Sequence, residues 1–239
     1  PTFLKVPVIP QSAQPPAASA TGVITPTIDG AAADGEWGGG GYYTEEGGVQ
    51  ATPEQVVSQI WYGFAKDTLY LRLDARRPWT DIGADTRVGF YLTKPGGGSE
   101  QPFSRIAVQS GGDTLLGFGA NALLEVAIQD GSATYYIVDE SGVYVEATTG
   151  LPVGVAGTTL EVALPYADFG KPDAGDALKL RTVVSEGEQR DMQVAPSGGP
   201  AEIVVPDLGL TKPLLTVVDP KGDDHGPGSY TYPTDAVFG

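Results

Sequence analysis

Ten short apolar runs, none parted from the next by a segment that reads as a long helix, constrain this chain of 239 residues more than anything else in it. QIWYGF (59–64) and TLYLRLD (68–74) are joined by Ala65, Lys66 and Asp67, and Leu69, Leu71 and Leu73 alternate with Tyr70, Arg72 and Asp74. A period of two puts the three leucines on one face of a strand, so the pair predicts a hairpin with one buried side. RVGFYLT (87–93), FSRIAVQS (103–110), LLEVAIQ (123–129), ATYYIVD (133–139), GVYVEA (142–147), TTLEVALP (158–165), ALKLRTVVS (177–185) and AEIVVP (201–206) follow, parted by turn strings such as PGGGSE, QDGS and DESG. The expected fold is all-β: an antiparallel β-sandwich of about ten strands with extended N- and C-terminal arms. TPEQVVSQ (52–59) and PYADFG (165–170) are the two helical connectors the caps predict.

The boundaries follow from local composition. Residues 1–21, TFLKVPVIP and then QSAQPPAASATG, read as an extended Pro-rich arm or linker. Residues 22–212 make the sandwich module, and 213–239 form a separate C-terminal segment. Pro1 at the start is read as the mark of a removed leader or upstream domain. Gly (34) and Pro (20) account for the frequent turns, while 41% apolar residues are too many for a disordered chain.

Thirty acidic residues against fourteen basic give a net charge of -16, which repels nucleic acid and anionic lipid. Cations or neutral polymers are the better partners on charge; copies of the chain come in only through the strand-exchange alternative below. No apolar run is long enough to span a bilayer, and with no cysteine there are no disulfides to report the compartment. One Asn, at Asn121, and one Met, at Met192, point to a hot habitat.

Cysteine nucleophiles are excluded, and any serine or threonine triad would need His225, the single histidine, which sits in a Gly/Pro loop with no nucleophile elbow elsewhere. Among thirty carboxylates some pair always suits glycosidic cleavage, so no acid and nucleophile stand out. GGGG (38–41) and PGGGSE (95–100) lack the Lys and Ser/Thr of a phosphate cradle.

Calcium is the metal that carboxylates without Cys would hold. Asp219, Asp223 and Asp224 share a glycine-bearing loop from which they could converge on one ion, although Asp residues that merely initiate tight turns fit equally. Asp29, Asp34 and Glu36 form a second acidic group with the same two readings.

Sugar binding calls for flat aromatic faces on loops or an open sheet face. Trp79, Tyr42, Tyr43 and Trp37 stand in Gly-rich or Pro-bearing contexts and are the candidates. Trp79 is read as either an exposed platform or an edge plug, and Trp37 leans toward a plug. Trp61, inside an apolar run, is expected in the core.

TGVITPTIDGAAADGEW (21–37), IWYGFAKDTLYLRLD (60–74), LEVALPYADFG (160–170) and APSGGP (195–200) together resemble the sandwich modules related to carbohydrate-binding family 9, a DOMON-type fold, in the copy found behind the catalytic domain of secreted amylopullulanases of glycoside hydrolase family 57. The resemblance spans about residues 21–208. DPKGDDHGPGSYTYPTDAVF (219–238) resembles the opening of the C-terminal module of glucodextranase, in which the string begins a long domain. The resemblance implies a non-catalytic module that binds or tethers α-glucan on an extracellular or cell-surface protein, and it fixes no ligand residue. The alternative is a structural subunit of an extracellular filament or surface layer, in which a terminal arm such as TFLKVPVIP adds a strand to the next copy. A small glycosidase in its own right is disfavoured.

Overall fold

The computed structural model describes residues 12–33, 35–45, 55–83 and 85–207, all within one compact unit. It is an antiparallel sandwich, with strands numbered in chain order. One sheet has five strands in the order β1 (Gly41–Thr44), β2 (Val57–Phe64), β3 (Thr68–Ala75), β11 (Thr159–Pro165) and β10 (Val153–Ala156). The other runs β13 (Arg190–Ala195), β12 (Ala177–Glu186), β4 (Thr86–Leu92), β7 (Ala122–Ala127), β8 (Ser132–Val138) and β9 (Tyr144–Leu151), with β14 (Ala201–Val204) also pairing along the long β12.

The leucine alternation behaves as the period of two requires. Leu69, Leu71 and Leu73 are fully buried, and they meet Ile60, Tyr62 and Phe64 of β2 and Phe90, Leu92, Leu124 and Val126 of the opposite sheet in the main core. The β2–β3 hairpin closes through Ala65 N–H to Thr68 O at 2.8 Å. Burying a side chain of this size contributes about 1.5–3 kcal/mol, which makes the inward faces the main source of cohesion.

FSRIAVQS departs from the strand expectation. Gln101–Phe103 is a short β5, but Arg105–Ser110 is a helix, α1, because local caps outweigh the apolar run. Ser104 is the N-cap, its hydroxyl accepting from Ala107 N–H at 3.0 Å, and Gly111 takes the left-handed C-cap at φ 74°. With β6 (Leu115–Ala120), this excursion roofs the outer side of the seven-stranded sheet. A second, smaller core forms beneath it from Tyr91, Leu116, Phe118, Leu123, Tyr144 and Val183. Strands β1, β6, β10 and β13 were not anticipated. PYADFG does make its single turn, α2 (Tyr166–Phe169), ending at Gly170. Of TPEQVVSQ, residues 52–54 lie outside the described residues and Val57–Gln59 begin β2.

The two sheets meet at their margins. At Pro152 the chain leaves β9, where Leu151 pairs with Ala133, and enters β10, where Val153 pairs with Val162. At the other margin residues 12–24 run as a strap. Gln14 bridges Ala201 beside β14, Ala18 exchanges hydrogen bonds with Tyr42 of β1, and Val23 bridges Phe64 of β2. These bonds are made with the chain's own sandwich and cover edges that would otherwise offer free N–H and C=O groups. TFLKVPVIP itself lies outside the described residues.

Candidate functional site

The outer side of the five-stranded sheet carries its most chemically varied surface. The register sets Tyr42 of β1 opposite Trp61 of β2, Trp61 opposite Arg72 of β3, and Arg72 opposite Glu161 of β11, so four outward side chains form one row across four strands. Tyr42 and Trp61 stack with ring centroids 4.5 Å apart at 30°. The Arg72 guanidinium lies 5.0 Å from the Trp61 ring and 5.8 Å from the Trp37 ring, which places a cation between two indoles. Arg72 also makes a two-pronged pair with Asp74, Nε–Oδ1 and Nη2–Oδ2 both at 2.8 Å. Trp61 Nε1–H donates to Asp74 Oδ2 at 3.1 Å and to Gln59 Oε1 at 3.2 Å.

Part of this face is covered. Ile24 sits over Gly63, where an added Cβ would lie 2.0 Å from the Ile24 Cδ1 atom, so only glycine admits this crossing. Gly30, at φ 80°, lies against the backbone of Val155 and Ala156. Glu161 is fully buried and fastens the crossing segment: it accepts from Trp37 Nε1–H at 2.8 Å, Gly30 N–H at 2.9 Å and Asp29 N–H at 3.3 Å. Three donors and the nearby Arg72 charge make a buried carboxylate tenable.

What remains partly exposed is a patch of Tyr42, Trp61, Tyr70, Arg72, Asp74 and Gln59, in which the Arg72 and Asp74 side chains are only 15% and 14% exposed. Arg72 Nη1, Gln59 Nε2 and the Tyr42 hydroxyl make no hydrogen bond among the described residues, so the free polar capacity of the patch is largely donor capacity. Arg72 is neutralised by Asp74, and the surface therefore suits a neutral ligand rich in acceptor oxygens and C–H faces.

The four aromatic candidates fare differently: three are buried, Trp37 and Trp79 in keeping with the plug readings and Tyr43 against the expectation of an open face. Trp79 is 1% exposed, packed in the main core from the turn Trp79–Asp81, with its backbone N–H donating to Gly157 O at 2.9 Å while the indole N–H is buried without a hydrogen-bond partner. It has no free face, because a proline turn folds the indole inward. Tyr43 points the opposite way from its neighbour Tyr42, packs on Tyr62 and donates its hydroxyl to Glu202 O. Burial pushes that phenol well above its usual range. Trp37 is 4% exposed, as a plug would be, its indole N–H bonded to Glu161 and the Arg72 guanidinium 5.8 Å from its ring. Tyr42 alone stays partly open. Trp61, expected in the core, faces out instead. The parity of Ile60, Tyr62 and Phe64 was the available clue, since all three share the inward side and leave Trp61 and Gly63 on the other.

Asp29 and Glu36 serve local turns, with Asp29 Oδ1 accepting from Ala31 N–H and Glu36 Oε1 from Thr27 N–H. Asp34, Asp219, Asp223, Asp224 and His225 lie outside the described residues. Among the described residues no group of three or more His, Cys, Asp or Glu converges as metal ligands, and no helix is long and apolar enough to cross a membrane.

Fold and face together define an antiparallel β-sandwich with one roofed sheet and one half-open aromatic sheet. The family model described as the C-terminal binding module, SLH-like, of glucodextranase matches residues 214–239, the stretch whose resemblance was read from its DPKGDDHGPGSYTYPT string. Similar solved structures include a carbohydrate-binding module of family 9 from Caldicellulosiruptor kristjanssonii in complex with cellotriose, at 12% identity and TM-score 0.42, covering 78% of this chain and 92% of that one. Another is a family 9 module from the same organism in complex with glucose, at 14% identity and TM-score 0.40, covering 77% and 93%. No curated protein matches the chain.

Proposed function

We propose that the chain is a non-catalytic carbohydrate-binding module of a secreted or cell-surface protein, and that its ligand is a neutral α-glucan. The observation that carries this reading is the half-open face on which Tyr42, Trp61 and Tyr70 share one side of a sheet with the spare donors of Arg72 and Gln59. Pyranose rings offer C–H faces to aromatic rings and hydroxyl oxygens to such donors. The match of residues 214–239 to a binding module of glucodextranase supports an α-glucan as the class.

Affinity electrophoresis in starch, pullulan and cellulose tests the proposal. Retardation in the α-glucan gels is expected, and Trp61→Ala should weaken it by about tenfold, since stacking on one aromatic ring is worth about 0.5–1.5 kcal/mol beyond the area it buries. Migration unaffected by all three polymers would overturn the reading, and retardation untouched by Trp61→Ala would move the site elsewhere. Filament assembly through strand exchange draws no support from residues 12–24, because their backbone bonds are already made in cis.

A further inference from the structure

Asp74 commits both of its carboxylate oxygens to the aromatic face. Oδ1 accepts from Arg72 Nε–H at 2.8 Å and from the Thr159 hydroxyl at 3.3 Å, and Oδ2 accepts from Arg72 Nη2–H at 2.8 Å and from Trp61 Nε1–H at 3.1 Å. A carboxylate has about four lone-pair sites, so these bonds leave it little to offer a ligand. Its side chain is also only 14% exposed. Whatever Asp74 contributes to this face, it contributes through its neighbours.

The register explains the convergence. β3 lies between β2 and β11, with Asp74 opposite Gln59 on one side and Thr159 on the other, while Trp61 and Arg72 stand one outward position further along their strands. Ladder bonds already join these three strands, so what the carboxylate adds is the orientation of side chains. Without it the Trp61 indole would keep only Gln59 Oε1, at 3.2 Å, as an acceptor. Arg72 makes no other hydrogen bond among the described residues, because Glu161, opposite it on β11, is occupied by Trp37, Gly30 and Asp29. The two-pronged pair thus holds the guanidinium 5.0 Å from the Trp61 ring and 5.8 Å from the Trp37 ring.

We propose that Asp74 is a positioning residue for glycan binding, which fixes the Trp61 indole and the Arg72 guanidinium in one arrangement before the ligand arrives. The inference rests on the neutral-glycan reading of this face. An unrestrained arginine loses rotamer freedom when a ligand immobilises it, whereas here that loss has already been taken in the folded protein. The pair through Nε and Nη2 leaves Nη1 on the opposite edge of the guanidinium, where its donors remain unused. Holding the indole N–H toward β3 likewise keeps the Trp61 ring from turning over beside Tyr42.

Affinity electrophoresis and NMR of the full chain test this together. Asp74→Ala should weaken retardation in starch or pullulan about tenfold, as for Trp61→Ala, and Asp74→Glu, which keeps a carboxylate, should recover most of it. With no sugar present, Asp74→Ala should shift the Trp61 Nε1–H and Arg72 Nε–H resonances and speed their exchange with water, while Trp37 Nε1–H, held by Glu161, stays in place. Folded Asp74→Ala protein retarded as strongly as wild type overturns the inference and leaves the glycan reading standing. So does an affinity loss with the Trp61 and Arg72 signals unmoved, or one equally large in Asp74→Glu. Wild type that migrates freely in every gel overturns both.

Discussion

The outer faces of the two sheets start from the same problem and solve it differently. On the seven-stranded sheet, Tyr91, Leu123 and Val183 point outward and are apolar, so β5, α1 and β6 cover them with a second core. That roof brings Arg105, only 3% exposed, onto Glu125, with Nε–Oε2 at 2.9 Å and Nη2–Oε1 at 2.7 Å, while Arg87 adds a third contact at 3.0 Å. On the five-stranded sheet the outward residues are aromatic or charged, and a thinner segment covers only part of them. The roofed face spends its charges on holding structure together, and the half-open face leaves donors unused.

Breaking the roof should have the largest effect. Glu125→Ala removes the main partner of a buried guanidinium, which keeps Gln109 at 2.9 Å and Glu188 at 3.4 Å, and should cost about 3 kcal/mol in urea unfolding, with Glu125→Gln milder because it keeps an acceptor. Glycan retardation by the molecules that remain folded should not change, because the proposed ligand face lies on the other sheet. On that other sheet, Glu161→Ala removes the acceptor shared by Trp37 and Gly30 and should cost about 1–3 kcal/mol. A red shift of tryptophan fluorescence would report that the crossing segment has come loose.

Deleting residues 1–20 strips the strap from β1 and β14, and a loss of about 1–2 kcal/mol is expected from its few backbone bonds. Sedimentation should then show more self-association, because two strand edges are bared. Less association after the deletion would instead favour assembly through the arm.

Alkaline pH gives a smaller, graded effect. Burial first, and then the Asp168 charge, push the Tyr135 phenol up to about 12. The folded state thus holds this proton more tightly than the unfolded chain, where tyrosine titrates near 10. That stabilisation is complete below about pH 10 and is lost as pH rises toward 12. Tyr135→Phe should flatten the fall of Tm across this window, and an unchanged slope would show that the phenol does not couple to folding. The smallest change is expected from Val145→Thr on exposed β9, within about 0.5 kcal/mol.

The hairpin of β2 and β3 was legible because two strands with one buried face must alternate, and Leu69, Leu71 and Leu73 do so without interruption. Arg105–Ser110 was not, because a six-residue apolar run fits either a strand or a helix, and Ser104 and Gly111 decide between them only once capping is weighed. The candidate face was half legible. Tyr42 stood out from its glycine-rich setting, but Trp61 was hidden by apolar neighbours, and the polar loop around Trp79 left platform and plug equally open there.

By itself, the sequence determined the all-β class, the antiparallel strands and their inward faces, since these follow from side-chain period and turn chemistry along the chain. The tertiary structure alone decided which outward face was roofed and which was left partly open. It did so through contacts between residues far apart in sequence, such as Trp37 with Glu161 and Arg105 with Glu125, which no local pattern encodes.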